Sequence, residues 1–378
     1  MNPQYCAKVV RFLAPLILSI LIFPTALAHP SWGIVLSSTG TVYFSDLENV
    51  WQIDRAGKLT VFRQGVNGRH VHELSIDGQD NVYGPTTVYD ATTQKYLIGV
   101  WKMASDGKET ELQPPVDSVM SGVSIWRDTA GNMYSIEQNN NLKQRTLLLK
   151  RTPDGRISTL AGSAYGYADG KGSAAKFSSV TAMTFGPDGN IYLTDGTGVR
   201  RVTLDGEVKT IAKDVTTRTP EDKPTLFGGN DKDIFGLAVD AGGNVYVADA
   251  GNRRLVKIAN DGKLSIVYRV DPPYFPTGVF TTANGDVYML EFSYTPPATT
   301  DQPRVRKISA DGQNRIIGSS GRTGVGFVIT AQRSSSPPPL QGLINIVNTR
   351  VSYIVLLMGA GVITVTVILW RNSRRQKT

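Results

Sequence analysis

Apolar and polar positions alternate along this chain in short runs, each closed by turn residues. Val245-Tyr246-Val247-Ala248 is one example. A period of two sends successive side chains to opposite faces of an extended strand, so the runs predict strands. One cue returns six times: a turn residue, an apolar residue, then tyrosine. It reads GTVYFSD (40–46), DNVYGPT (80–86), GNMYSIE (131–137), GNIYLTD (189–195), GNVYVAD (243–249) and GDVYMLE (285–291). A second phrase is interleaved with it, as in KMASDGKETEL (102–112), KRTPDGRISTL (150–160) and KIANDGKLSIV (257–267). The Asp-Gly in most copies supplies the positive φ of a tight turn, and the first copy has Ala56-Gly57 there. The fifth unit divides into FGLAVD (235–240), NVYVAD (244–249), LVKIAN (255–260) and KLSIV (263–267). We label these strands a to d, from the innermost outward. Six such units of roughly 40 to 58 residues, with no helical periodicity between them, predict an all-β, six-bladed β-propeller of four-stranded blades over residues 29–320.

Two stretches carry a family resemblance. Residues 160–211, from LAGSAYGYADGKG to TLDGEVKTI, resemble an NHL-repeat propeller blade with its preceding loop, as does FGLAVDAGGNVYVADAGNRRLVKIANDG (235–262). The other four units match mainly at the tyrosine strand and the c–d turn. The resemblance implies a scaffold and no particular activity, because this architecture hosts unrelated functions.

The ends of the chain predict topology. Residues 1–28 run from Lys8 and Arg11 through the apolar Phe12–Phe23 to Ala26-Leu27-Ala28, the order of a secretory signal peptide. Residues 351–370, VSYIVLLMGAGVITVTVILW, carry no charge and as a helix span about 30 Å, the thickness of the hydrocarbon core. Arg371, Arg374, Arg375 and Lys377 follow, and basic flanks mark the cytoplasmic side. Residues 321–350, with Ser334-Ser335-Ser336-Pro337-Pro338-Pro339, read as a stalk, and 371–378 as a short cytoplasmic tail. The expectation is a single-pass membrane protein with an extracytoplasmic, periplasmic or cell-surface propeller.

Charge and cysteine follow from that topology. The formal net charge is +8, and the basic residues of the two terminal segments account for six of it, so nucleic acid is not an expected partner. Cys6 is the only cysteine and leaves with the signal peptide, which removes disulfides and thiol catalysis.

Variable length falls on one side of the ring. The a–b and c–d turns are uniformly short, whereas tyrosine and c–d glycine are 14 residues apart in the first and fourth units but 24 in the second and sixth. The added residues read as b–c loops (Gly84–Tyr96, Glu137–Arg145, Glu291–Arg304), joined by long d–a loops (Gly162–Val180, Lys213–Ile234). Loops on a rigid scaffold are where binding concentrates.

Small residues begin several innermost strands, as at Gly33, Gly236 and Gly278, whereas the second unit has Glu73 at that level, after His70-Val71-His72. Alternation puts His70 and His72 on one side of an extended strand. His70, His72 and Glu73 are therefore candidate acid–base groups. His72 and Glu73 with Asp231 and Asp233 of the fifth unit are candidate metal ligands, and both aspartates are candidate ligand-binding residues. The two histidines equally suit packing or loop anchoring. Asp46, Asp195 and Asp249, each closing a b strand, read as structural acids, with Asn252 and Arg254 as partners for Asp249. Tyr165 and Tyr167, on the glycine-rich loop AGSAYGYADGKG, are candidate contacts for a ligand.

The leading expectation is a binding module that recognises a protein, glycan or envelope ligand through the loop face, without a cofactor. The alternative is a hydrolase similar to gluconolactonase-type lactonases and paraoxonases. That resemblance implies a divalent cation, calcium or zinc, in the channel, polarising a carbonyl and activating water. Such families place Glu, Asn and Asp from several blades at the channel, whereas this chain has Ser121-Gly122, Thr181-Ala182 and Thr277-Gly278 at equivalent positions. A zinc lyase resembling the amidating-enzyme propellers would need a third histidine near His70 and His72.

Overall fold

The computed structural model describes residues 30–93, 95–117, 126–128, 130–138, 144–222, 233–293 and 303–320. The segments predicted as signal peptide, stalk, membrane helix and tail lie outside them. Among the described residues no helix is long and apolar enough to cross a membrane.

Six antiparallel sheets form, one per sequence unit, each built from consecutive strands. Blade 1 comprises Ile34–Leu36, Val42–Ser45, Val50–Ile53 and Leu59–Arg63. Blade 5 repeats the plan with Ile234–Val239, Val245–Asp249, Arg254–Ile258 and Leu264–Arg269, and blade 6 with Tyr274–Thr281, Val287–Ser293, Arg304–Ile308 and Asn314–Ser319. Blade 3 has Trp126–Arg127, Met133–Gln138, Arg145–Arg151 and Ile157–Ala164. Blade 4 has Val180–Phe185, Ile191–Asp195, Gly198–Val202 and Glu207–Ala212, with Gly170–Lys171 added outside its last strand. Apolar side chains interleave between neighbouring blades. Ile34, Phe44 and Ile53 of blade 1 cluster with Phe275, Phe292 and Val305 of blade 6, so packing joins the first blade to the last without an exchanged strand.

Two devices recur among the blades. At the a–b turn of blades 2 to 5 an aspartate gathers an asparagine and the blade tyrosine. Asn81 Nδ2 and Tyr83 Oη donate to Asp77 at 2.8 and 2.7 Å, Asn132 and Tyr134 to Asp128 at 2.7 and 3.0 Å, and Asn244 and Tyr246 to Asp240 at 2.8 and 3.3 Å. A cation on strand c stands over the same ring: Lys102 over Tyr83, Lys150 over Tyr134, Lys257 over Tyr246 and Lys307 over Tyr288. Each of these lysines is the direct cross-strand partner of its tyrosine, so the two interleaved phrases meet through this pair.

At the far end of strand b an acid grips the loops. Asp195 accepts from Ser178 and Ser179 N–H and pairs with Arg200 at 2.8 Å; Asp249 accepts from Asn252 and pairs with Arg254 at 2.7 Å; Glu291 pairs with Arg304 and Arg306. Asp46 caps its own b–c turn through Glu48 and Asn49 N–H and accepts from Trp51 Nε1 at 2.8 Å. The structural reading of these acids holds.

Blade 2 departs from the plan. Its b, c and d strands, Val82–Asp90, Lys95–Met103 and Glu109–Asp117, are each nine residues long. Gly84–Tyr96 is therefore mostly strand, not the loop that its length suggested. The innermost strand is broken instead. Arg69–His70 pairs with Val88 and Thr87, and Ser75–Ile76 pairs with Tyr83 and Val82. Residues between them leave the ladder, so His70, His72 and Glu73 do not share one extended strand.

Candidate functional site at the mouth of the channel

Each innermost strand begins on the loop face and runs toward the a–b turns. The beginnings of these strands converge on the channel, and the sequence makes room for them by omitting side chains. A Cβ on Gly278 would lie 2.4 Å from the Trp32 carbonyl oxygen, one on Gly236 2.7 Å from that of Thr277, and one on Gly33 2.9 Å from the Leu74 nitrogen. The small residues at these positions are thus contacts between neighbouring blades.

Trp32, directly before the first strand, occupies the mouth. Its backbone N–H donates to the His72 carbonyl at 2.9 Å, and Ser31 Oγ donates to the same oxygen at 3.0 Å. The indole stacks between two rings: His72 at a centroid distance of 5.4 Å and 22°, and Phe235 of blade 5 at 5.9 Å and 17°. His70 meets His72 edge to face at 5.8 Å. These spacings suit aromatic pairs, and the layer links blade 2 to blade 5 across the ring.

Below this layer is a cavity of about 390 Å³, lined by the innermost strands of blades 1, 2, 4, 5 and 6. Its wall is mainly apolar, with Ile34, Ala182, Met183, Leu237, Val279 and Phe280. Glu73 is the carboxylate in this lining, and it is buried, with 4% of its surface exposed. Trp32 Nε1 is a buried donor with no hydrogen-bond partner among the described residues. Leaving a buried N–H without an acceptor costs about 1–3 kcal/mol, so a turn of the indole that brought this donor to an acceptor would be favourable. A groove of about 500 Å³ between blades 4 and 5, on the short-turn face, is different: its Asp188 already pairs with Arg201 and accepts from Tyr192.

The structure brings His70, His72 and Glu73 together at the mouth. It does not gather a metal site there. Among the described residues no three His, Cys, Asp or Glu side chains converge on a point. The positions level with Glu73 include Gly33, Gly236 and Gly278, which bring no donor atom. Asp233 lies beside blade 5, its carbonyl accepting from Gly251 N–H, and Asp231 falls outside the described residues. Among the described residues the donor set therefore does not fit the cation that the lactonase resemblance implied.

Tyr165 and Tyr167 sit at blade 4, away from the lining of the channel. Tyr167 is engaged by the fold: Arg200 lies over its ring at 4.2 Å, and Arg200 also binds Asp195, Asp169 and the Ala168 carbonyl. Trp32 and Phe235 were not singled out from sequence, because an aromatic beside a strand reads as packing. Only the register across blades makes them a layer.

These features define a six-bladed β-propeller with a narrow, largely apolar channel. Neither a family model nor a curated protein sequence matches the chain. Among solved structures, the chain is similar to virginiamycin B lyase from Staphylococcus aureus (16% identity, 76% of this chain and 83% of that one, TM-score 0.45). It is also similar to the calcium-binding protein regucalcin from Agrobacterium tumefaciens (15%, 72% and 85%, 0.47) and to a gluconolactonase from Xanthomonas campestris (12%, 69% and 83%, 0.45). These likenesses are ones of fold alone.

Proposed function

We propose that this protein is a ligand-binding propeller of NHL-like type that takes a small, ring-bearing, mostly apolar molecule into the mouth of its channel. The supporting observation is the cavity itself: about 390 Å³ of apolar wall with a buried carboxylate, Glu73, and a buried indole donor, Trp32 Nε1. Small-molecule sites have this character, with a few polar groups fixing orientation on an apolar surface. A cyclic ester or amide fits the chemistry: a turn of the indole would let its carbonyl accept from Trp32 Nε1, and its ring carbons cover the apolar wall. The terminal segments support a wider proposal, that the propeller is displayed outside the cytoplasm on a stalk (321–350) and a membrane helix (351–370). Protease protection in spheroplasts tests it: digestion of the propeller from outside is expected, and full protection contradicts the topology.

A second reading is turnover of the same ligand as a hydrolase or lyase, the class to which the named lyase and gluconolactonase belong. The observation favouring it is that Glu73 lines the cavity while His72, its neighbour in sequence, stacks on Trp32 at the mouth. Either group can accept a proton from water or from a substrate carbon. Saturation-transfer NMR with a panel of lactones and lactams tests both readings on the full-length protein. Under the binding reading, ring protons receive saturation, Trp32→Phe weakens the response, and the compounds remain intact. Appearance of ring-opened product, lost in Glu73→Gln, selects the enzyme reading. No response from any compound counts against both.

A further inference from the structure

The extended hairpin of blade 2 carries aromatic residues that the channel does not use. Its cross-strand pairs place His70 beside Thr87, Thr87 beside Ile98 and Ile98 beside Val116, while Tyr89 and Tyr96 face each other two residues further out. Partners across a ladder share a face, as do residues two apart along a strand. One face of the hairpin therefore bears His70, Thr87, Tyr89, Tyr96, Ile98 and Val116, with no carboxylate, lysine or arginine among them. The alternate positions hold Arg69, Asp90, Lys95 and Asp117, and the Asp90 carboxylate accepts from Thr92 N–H and the Thr93 hydroxyl.

Tyr89 and Tyr96 are 53% and 57% exposed, more than Tyr165 or Tyr167, and their rings lie 5.2 Å apart at 56°. Toward the channel His70 and His72 lead to Trp32. Ile98 beside Thr87 is buried, so the exposed part of this uncharged track is the Tyr89–Tyr96 pair at the hairpin tip with the half-buried Thr87 next to it.

We propose that this track binds a neutral saccharide, with Tyr89 and Tyr96 as stacking platforms. The C–H face of a pyranose is apolar and weakly positive, which suits the negative face of a tyrosine ring. The hydroxyls of Thr87, Tyr89 and Tyr96 supply hydrogen bonds to the sugar's rim. The width of the track argues against a protein partner. Stable protein contacts cover about 800 Å² per side, whereas this face is a strand pair with two exposed rings. The absence of fixed charge on the face likewise favours a neutral ligand over a phosphorylated or acidic one.

The saccharide site is independent of the channel reading, and calorimetry tests it separately. Full-length protein in a non-glycosidic detergent is titrated with the β-1,4 hexasaccharides of N-acetylglucosamine and of glucose. Binding of at least one is expected, weakened about tenfold by Tyr89→Ala or Tyr96→Ala, the scale of losing one good stacking contact. Tyr89→Phe and Tyr96→Phe, which keep the ring, stay close to wild type. Ile157→Ala, an equally exposed apolar side chain on blade 3, leaves affinity unchanged. Failure of both sugars to bind, or equal affinity in the variants that lack a ring, overturns the proposal.

Discussion

At the scale of single residues, the a–b turn aspartates couple the fold to pH. Burial opposes the charge of Asp128, but hydrogen bonds from Asn132 and Tyr134 outweigh it and hold the carboxyl below its usual value. Its folded pKa is thus lower than its unfolded one, near 3.9, so its stabilising contribution is present above that pH and is lost as pH falls through the folded value. Asp128→Asn is expected to melt below wild type at pH 7, with the two curves converging as pH falls through the folded pKa of Asp128. Tyr83 behaves in the opposite sense. Burial, then the bond to Asp77, pushes its phenol up to about 12, so its contribution is complete below the unfolded value, near 10, and is lost as pH rises toward 12. Tyr83→Phe is expected to flatten the alkaline limb of a thermal-melt series. A third residue-scale prediction concerns Arg200, which is fully buried between Asp195 and Asp169. Removing one member of a buried charge cluster strands the others, so Arg200→Ala should cost about 3–5 kcal/mol in denaturant unfolding. The tyrosines were legible as repeat markers and the b-strand acids as structural. The partners were less so, because Asp128 and Tyr134 are six positions apart, one at the a–b turn and the other on the strand that follows it.

At the scale of strands, the regular blades followed directly from alternation and Asp-Gly turns. Gly155, with φ of 89°, and Gly57, with φ of 82°, show why glycine recurs at the c–d turn even where aspartate does not. Blade 2 was misread because length alone does not separate a loop from an elongated hairpin: Thr86, Thr87 and Val88 are strand-forming residues that continue the ladder. The broken innermost strand beside them was not visible either, since its pairing depends on how far the hairpin extends. The glycines at the mouth offer a direct test of how strands pack there. Gly278→Ala would drive a methyl into the Trp32 backbone and is expected to cost about 1–3 kcal/mol, with a matching fall in Tm. An unchanged Tm would mean that blades 6 and 1 do not approach as closely as described.

For the whole molecule, the number of blades was readable from six tyrosine cues, and the location of the site only partly so. Glu73 lines the channel and His70 and His72 stand near Trp32 at its mouth, because a propeller brings the beginning of every innermost strand toward its axis. The apolar wall and the Trp32 layer were hidden, since they are assembled from segments far apart in the chain, from Trp32 to Thr281. The central claim is that the channel is the site of ligand binding. Thr184 lines it, and Thr184→Trp places a large ring in the cavity. The decisive measurement compares saturation-transfer NMR of lactones and lactams on wild type and on this plugged variant, with circular dichroism confirming that both are folded. The channel account predicts saturation of ring protons in wild type and its loss in the variant. Equal saturation in the two proteins would place binding elsewhere and contradict the account.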